Sequence, residues 1–410
     1  MDIRVLHVLD HSWPVLDGYS QRSRSIIAAQ RSLGFRPAVV TSPLHNLDDP
    51  ASVEVDLDSI HHFRVPNNTG VLWRAIRRRW PILREVAVIR LLQERIGSLL
   101  ENGNYDLVHA HSPALCGLAA LRAARARRFP FVYEVRSFWE DGVAQSPSSL
   151  RYRLSRALET HVVRRADAIV GISRPILQDI ASRGVPEAQL FHVPNGVDSV
   201  RFTPGPRDAA LSANLRVDGI PTLGFLGTLF PWEGVAWLVQ ATATLHARGV
   251  HFKLLIVGDG AESGAIRAAI AKENAEDYVS YLGRVPFEDV HRYYSVMDVL
   301  VYPRRSLRIT EFVTPLKPLE AMALAKPVLG SAVGGIRELI EPDVTGLLFE
   351  AGNIDDFCRQ AQRLLADPKL LRQLGERARL MVSGERNWET LARRYEEVYD
   401  AAIRKARQHA

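Results

Sequence analysis

The stretch VYPRRSLRITEFVTPLKPLEAMALAKPVLGSAVGG, residues 301–335, sets two apolar strand-like runs on either side of a cationic loop and a short helix. The loop supplies Arg304, Arg305 and Arg308, and Thr314 and Pro315 lead into a helix whose first turn holds Lys317 and Pro318. Proline suits that turn, because its missing N–H is unused there and its fixed φ is already helical. Free amide donors at a helix start, beside cations, favour a phosphate. Glu320 follows in the same turns, an acceptor-only group fit for sugar hydroxyls. The stretch reads as an anion pocket with a hydroxyl acceptor at its side.

Outward from it, strands alternate with helical patterns in both directions, the signature of βαβ units and a parallel sheet. Towards the N-terminus of the second half lie TLGFLGTLF, a helix over about 233–248, then KLLIVGDG, VSYLGRV and DVLVYP. Beyond the stretch come GLLFE and three amphipathic helices, the last over 388–407. The Pro- and Gly-rich VPNGVDSVRFTPGPRDAA marks a domain boundary near 198–206. Before it, IRVLHVL, PAVVT, LVHAH, FVYEV, AIVGIS and FHVPNGVD read as strands with helices between them. This predicts an α/β fold with domains over 1–200 and 201–385 and a terminal helix over 386–410. Ligands of such sheets sit at the carboxyl ends of the strands.

The 410 residues, 47% hydrophobic and 24% charged, are enough for two domains of roughly 100–200 residues each. No apolar run approaches the roughly 20 residues that span a bilayer. Cys116 and Cys358 are too few for a disulfide framework, which predicts a reducing, cytoplasmic setting. The net charge of +6 and pI near 9.4 suit an anionic partner: nucleic acid, a membrane surface or a phosphorylated small molecule. Residues 71–100, with Trp73, Trp80 and many arginines at helical spacing, read either as a helix lying on an anionic membrane or as a core helix with a solvated basic face. Pro81 is expected to break or kink it.

AIVGIS, VPNGVD, LIVGDG, YLGRV and above all PLEAMALAKPVLGSAVGG with DVTGLLF together resemble the retaining glycosyltransferases of family 4 over nearly the whole chain. The resemblance implies a GT-B fold, two Rossmann-like domains facing a cleft, with the last helix crossing back to the first. It implies transfer of a sugar from a nucleotide-diphosphate donor, a UDP-sugar ahead of GDP-mannose, to a saccharide or lipid-linked saccharide, without cofactor or metal. The donor is expected on the second half and the acceptor on the first, with a peripheral place on the inner face of the membrane. Polysaccharide or lipid-linked saccharide assembly is the subgroup whose motifs it shares.

By the same resemblance Glu320 holds the ribose, Leu319 and the loop of Gly283, Arg284 and Val285 line the nucleotide, and His111 sits near the reacting sugar. The family's first glutamate should fall at Phe312; Glu311 is its neighbour and takes the role of catalytic carboxylate. Where the family has an arginine and a lysine on the diphosphate, this chain has Thr228 and Glu233, so Arg304, Arg308 and Lys317 are expected to substitute. Gly18 offers close backbone approach to the phosphate. Glu134, Arg136 and Trp139 in YEVRSFWED are read as acceptor contacts, with a surface ion-pair cluster as the alternative.

Other patterns read as structure. His109, two residues before His111, invites a metal, but no third ligand lies nearby in sequence. The turn at Gly258, Asp259 and Gly260 lacks the GxGxxG spacing of a dinucleotide site. Asp56 and Asp58 form a DxD in what reads as a solvated acidic loop. Against a transferase stand a nucleotide-sugar epimerase, a phosphorylase, a non-catalytic nucleotide-sugar-binding protein, and a nucleic-acid binder with steep salt dependence.

Overall fold

In the computed structural model, residues 2–15, 17–45, 54–65, 81–143 and 148–408 are described. They form two compact units, Met1–Pro194 with Trp388–Ala410, and Asn195–Asn387. The first unit contains β1 (Arg4–Leu9), β2 (Arg36–Thr41), β3 (Glu54–Leu57), β4 (Ile60–Arg64), β5 (Leu107–His111), β6 (Phe131–Val135), β7 (Ala168–Gly171) and β8 (Leu190–His192). They make one sheet in the order β3-β4-β2-β1-β5-β6-β7-β8. β5, β6 and β7 are buried at every residue, as parallel strands covered on both faces require.

The expected acidic loop around Asp56 and Asp58 is instead an antiparallel edge hairpin of β3 and β4. Asp58 and Ser59 turn it with φ of 52° and 58°, the left-handed pair that a two-residue hairpin turn demands. Asp58 then takes both Nε (2.6 Å) and Nη2 (3.1 Å) of Arg24, so its carboxylate anchors the hairpin to a helix.

Of residues 71–100, the part up to 80, with Trp73 and Trp80, lies outside the described residues. The rest is a helix, Pro81–Asn102. Pro81 starts this helix rather than breaking it, because the first turn needs no N–H from it. Its Val88, Ile89, Leu92 and Ile96 are buried, whereas Ile82, Leu83 and Val86 are exposed. Among the described residues no helix is long and apolar enough to cross a membrane.

The second unit carries β9 (Thr222–Leu226), β10 (Lys253–Val257), β11 (Val279–Gly283), β12 (Val299–Tyr302), β13 (Val328–Ser331) and β14 (Leu347–Phe349). Their order is β11-β10-β9-β12-β13-β14, every pairing parallel. The stretch at 301–335 runs from β12 through the helices Arg308–Phe312 and Lys317–Ala323 to β13. In each sheet the winding reverses beside the first strand, between β1 and β5 and between β9 and β12. Those two switch points are where such sheets open a crevice for ligands.

The last helix, Trp388–Gln408, buries Trp388, Leu391, Tyr395, Val398, Tyr399 and Ala402, a face repeating at three and four residues. It packs within the first unit, on the helix Gly18–Ser32 and on β6 and β7.

Candidate functional site

At the switch point of the second unit, β9 is followed by Gly227, with φ of 140°. A Cβ there would lie 2.3 Å from Cε of Lys317, so the missing side chain is what lets the lysine stem cross. The Lys317 ammonium donates to the Thr228 carbonyl (3.0 Å), stands 3.4 Å from Oε1 of Glu233 and lies 4.9 Å from the centre of the Phe225 ring. Its backbone carbonyl accepts from the Tyr302 hydroxyl (3.0 Å). Burial lowers the Lys317 pKa, and Glu233 pulls it back up. The helix it begins has seven residues and no side-chain cap, so the positive charge here comes chiefly from the ammonium rather than from a long helix dipole.

Arg304 departs from expectation. Its guanidinium is buried, donates from Nη1 to the Val313 carbonyl (2.9 Å) and lies 3.8 Å from Glu233, so it props the loop instead of facing a ligand. Arg308 stands on the Arg308–Phe312 helix with its guanidinium 4.4 Å from the Phe312 ring centre. Leu319 is corrected too: its side chain is wholly buried in the core and offers a nucleotide no surface. Glu320 is half-buried and accepts from the Tyr294 hydroxyl (3.1 Å); burial raises its pKa. Glu311 is held at both oxygens, by the Ser306 hydroxyl (2.7 Å) and by the Gly334 N–H (2.7 Å). Thr228 and Arg284 are exposed, Val285 packs partly against the core, and Gly283 turns the chain with φ of 69°.

At the switch point of the first unit, His7 and His109 pair in register, as do His111 and Glu134. The four side chains share one sheet face, and all are fully buried. Glu134 accepts from Nε of Arg22 (3.0 Å), Nε of Arg136 (2.9 Å) and the Tyr395 hydroxyl. Burial opposes its charge, but Arg22 and Arg136 hold the carboxyl well below the usual range. Arginine can only donate, which orders the rest. Nη2 of Arg136 donates to Nδ1 of His111 (2.7 Å), so His111 donates from Nε2 to Nδ1 of His7 (3.1 Å), and His7 from Nε2 to Gln30 (2.9 Å). Gln30 donates to the Tyr399 hydroxyl (2.8 Å), which donates to Nδ1 of His109 (3.0 Å). The Nε2 of His109 then faces Glu134 at 3.7 Å without a hydrogen bond, which brings the chain of contacts back to its start as a ring.

This ring overturns three expectations. Both nitrogens of His111 are engaged, and burial drives its pKa down to about 3, so it is a neutral link and not a group facing a sugar. Glu134 and Arg136 are neither acceptor contacts nor a surface cluster, because their polar atoms are spent on one another beneath the last helix. The third histidine missing from the sequence reading is His7; the imidazoles of His7, His109 and His111 offer ligand atoms within 4.8 Å of one another. His7 and His111 are joined by a hydrogen bond (3.1 Å), and the guanidinium groups of Arg136 and Arg22 beside the cluster oppose a dication. Arg22, Gln30, Tyr395 and Tyr399 went unread, since what joins them is register and packing.

Trp139 remains half-buried, with the Arg151 guanidinium 5.3 Å from its ring centre. Gly18 is exposed at the first position of its helix, after Asp17, which caps Ser20 N–H (2.8 Å). In the same loop His11 bridges Asp10 (2.9 Å) and Asp17 (2.7 Å).

Two family descriptions match the chain: "Glycosyl transferase 4-like domain" over residues 17–196 and "Glycosyl transferases group 1" over residues 220–367. The chain is 27% identical over 353 residues to a GDP-mannose-dependent alpha-mannosyltransferase of Mycobacterium tuberculosis, spanning 86% of this chain and 85% of that one. It is 29% identical over 240 residues to a lipopolysaccharide 1,2-N-acetylglucosaminetransferase of Salmonella typhimurium, across 56% and 61%. Among solved structures, sucrose-phosphate synthase from Thermosynechococcus elongatus is similar with a TM-score of 0.78 and 23% identity, covering 97% of this chain and 98% of that one. Anabaena HepE in complex with UDP has a TM-score of 0.74 and 18% identity, covering 97% and 100%. At such identities the two structures speak for the fold, which is GT-B.

Proposed function

Because the chain belongs to the glycosyltransferases of family-4 type, with the GT-B fold, we propose that it moves a sugar from a nucleotide-diphosphate donor to a saccharide or lipid-linked saccharide with retained anomeric configuration. The observation that carries this is the Lys317 ammonium, fixed at the β9/β12 switch point with Glu320 one turn further along the same helix. The second unit binds the donor: Lys317 takes the diphosphate, Glu320 the ribose hydroxyls, and Thr228, Arg284 and Val285 line the nucleotide. Glu311, with lone pairs left on both oxygens, faces the sugar. The first unit binds the acceptor, with Trp139, at the start of the helix Trp139–Val143, among its contacts.

As the bond from the anomeric carbon to the phosphate oxygen breaks, negative charge grows on the diphosphate, and Lys317 stabilises it. The acceptor hydroxyl oxygen forms the new bond on the same face, and its proton passes to a diphosphate oxygen. Glycoside and nucleoside diphosphate leave. No step draws on a metal or a cofactor.

A uridine donor is in keeping with the UDP bound to HepE, a guanosine donor with the mannosyltransferase relatives. A thermal-shift series with UDP-glucose, UDP-N-acetylglucosamine, GDP-mannose and ADP-glucose separates them. Ligand at 100 times its Kd adds about 2.7 kcal/mol of stability. No shift with any of the four, in a folded protein, would remove the donor reading. A peripheral membrane place is favoured by Ile82, Leu83 and Val86, and by Leu150 and Leu154 on the helix Leu150–Val163, all exposed, with Arg151 and Glu85 paired between the two helices.

A further inference from the structure

We propose that Glu233 is a positioning residue for the donor, a buried carboxylate that aims the Lys317 ammonium at the diphosphate and keeps it charged. The proposal rests on the reading of the second unit as the donor site. It starts from the loop GTLFPWEG that follows β9. Leu229 and Glu233 point inwards, whereas Phe230 is exposed. The loop is pinned at its far end: Gly234 has φ of 74°, and a Cβ there would lie 2.3 Å from the Pro303 carbonyl oxygen. The Arg305 N–H donates to the Trp232 carbonyl (2.9 Å). Glu233 is therefore held against the end of β12 by backbone, not by its own ion pairs.

A carboxylate in such a place is unfavourable unless cations compensate it. Two do, Lys317 at 3.4 Å and Arg304 at 3.8 Å from Oε1, yet Oε2 of Glu233 and Nε of Arg304 have no partner. The contacts are longer than the roughly 2.7–2.9 Å of a tight ion-paired hydrogen bond. Of the three side chains, Lys317 is 19% exposed against 5% for Glu233 and 4% for Arg304, so the group turned to solvent is the cation. With one N–H on Thr228 and one towards Glu233, the ammonium has a third left for a phosphate oxygen. The charged groups around it are Glu233 from the β9 loop, Arg304 from the end of β12 and Glu320 on its own helix. Burial and Arg304 lower its pKa, while Glu233 and Glu320 raise it.

The test is binding of UDP and GDP by calorimetry from neutral pH towards the ordinary lysine pKa of about 10.4, for wild type, Glu233→Gln and Glu233→Asp. Loss of the carboxylate is expected to weaken binding roughly tenfold near the upper end, a shift of about one pKa unit, and to move the loss of affinity to lower pH. Glu233→Asp should fall between the two, and it carries the same test if Glu233→Gln does not fold. A role in stability alone lowers Tm in every variant but leaves the pH of half-binding unmoved, which would overturn the assignment. Wild type that binds neither nucleotide would overturn the donor reading and this assignment together.

Discussion

The two switch points are built from similar residue types and put them to opposite uses. Between β1 and β5, three histidines, two arginines, a glutamate, a glutamine and two tyrosines form a ring closed by the last helix. Nearly every donor there has an acceptor. Between β9 and β12, one lysine, one glutamate and one arginine stand at 3.4 and 3.8 Å with polar atoms left over. Most polar atoms of the ring are paired, with Nε2 of His109 left over, and a largely satisfied buried network fixes one arrangement and has little to offer a ligand. An incompletely satisfied one, with its cation turned outwards, is poised for the ligand that completes it. The charges in YEVRSFWED read as a site and prove to be a fastener, whereas Lys317 keeps its ammonium partly exposed beside Glu233.

The sharpest break in this contrast is Glu134→Gln. It leaves Arg22 and Arg136 buried without their shared carboxylate, and removing one partner of a buried pair costs about 3–5 kcal/mol. Urea unfolding followed by far-UV circular dichroism reads this. A loss below about 1 kcal/mol, the scale of exposed ion pairs, would mean that the ring does not hold the last helix down.

Lys317→Ala is the counterpart. Arg304 still stands beside Glu233 after the substitution, so the fold should hold with a lowered Tm, while turnover of a nucleotide-sugar falls by about 100- to 1,000-fold, the usual effect of removing one donor from a developing anion. Product nucleotide released per unit time, with Tm measured on the same sample, checks both halves. Full turnover in the folded variant would strip Lys317 of its role and return the diphosphate to Arg308 or Arg284.

How far these opposite fates could be read from the sequence follows from what each depends on. Parallel strands such as LVHAH and FVYEV are buried on both faces, so their β-branched runs stand out locally, and the α/β class with its strands was legible. The β3–β4 hairpin was not, because an edge pair exposes half of its side chains and VEVDLDSI reads as an acidic loop. Lys317 and Glu320 could be singled out in the sequence because their chemistry sits on one short helix. The ring at His111 was not, because it needs β1, β5 and β6 in register and two tyrosines from the far end of the chain. Glu233 was noticed only as a glutamate where a cation belonged. Its contact with Lys317 arises from the β9 loop folding against the end of β12, which no local pattern announces.

The smallest effect sharpens the comparison at the edge of the first switch point, where the sealed ring gives way to the exposed β1 loop. His11 there bridges Asp10 and Asp17. Burial alone would lower its pKa, but the hydrogen bonds to the two carboxylates outweigh burial and raise it to about 9. A base whose folded pKa exceeds its unfolded value stabilises the fold fully below the unfolded pKa, near 6.5, and loses that contribution as pH rises through about 9. Asp17 is 43% exposed, so solvent screening holds the effect to about 1 kcal/mol. Wild type should therefore exceed His11→Gln in stability by about that much near pH 6 and converge with it above about pH 9. The buried histidines, held neutral in the fold, act in the opposite sense, lowering stability as pH falls below about 6.5, and they cancel in the difference between wild type and variant. A stability difference that is flat from pH 6 to about 10 would show that the His11 bridge is uncharged, and that the neutrality of the ring extends out into the loop.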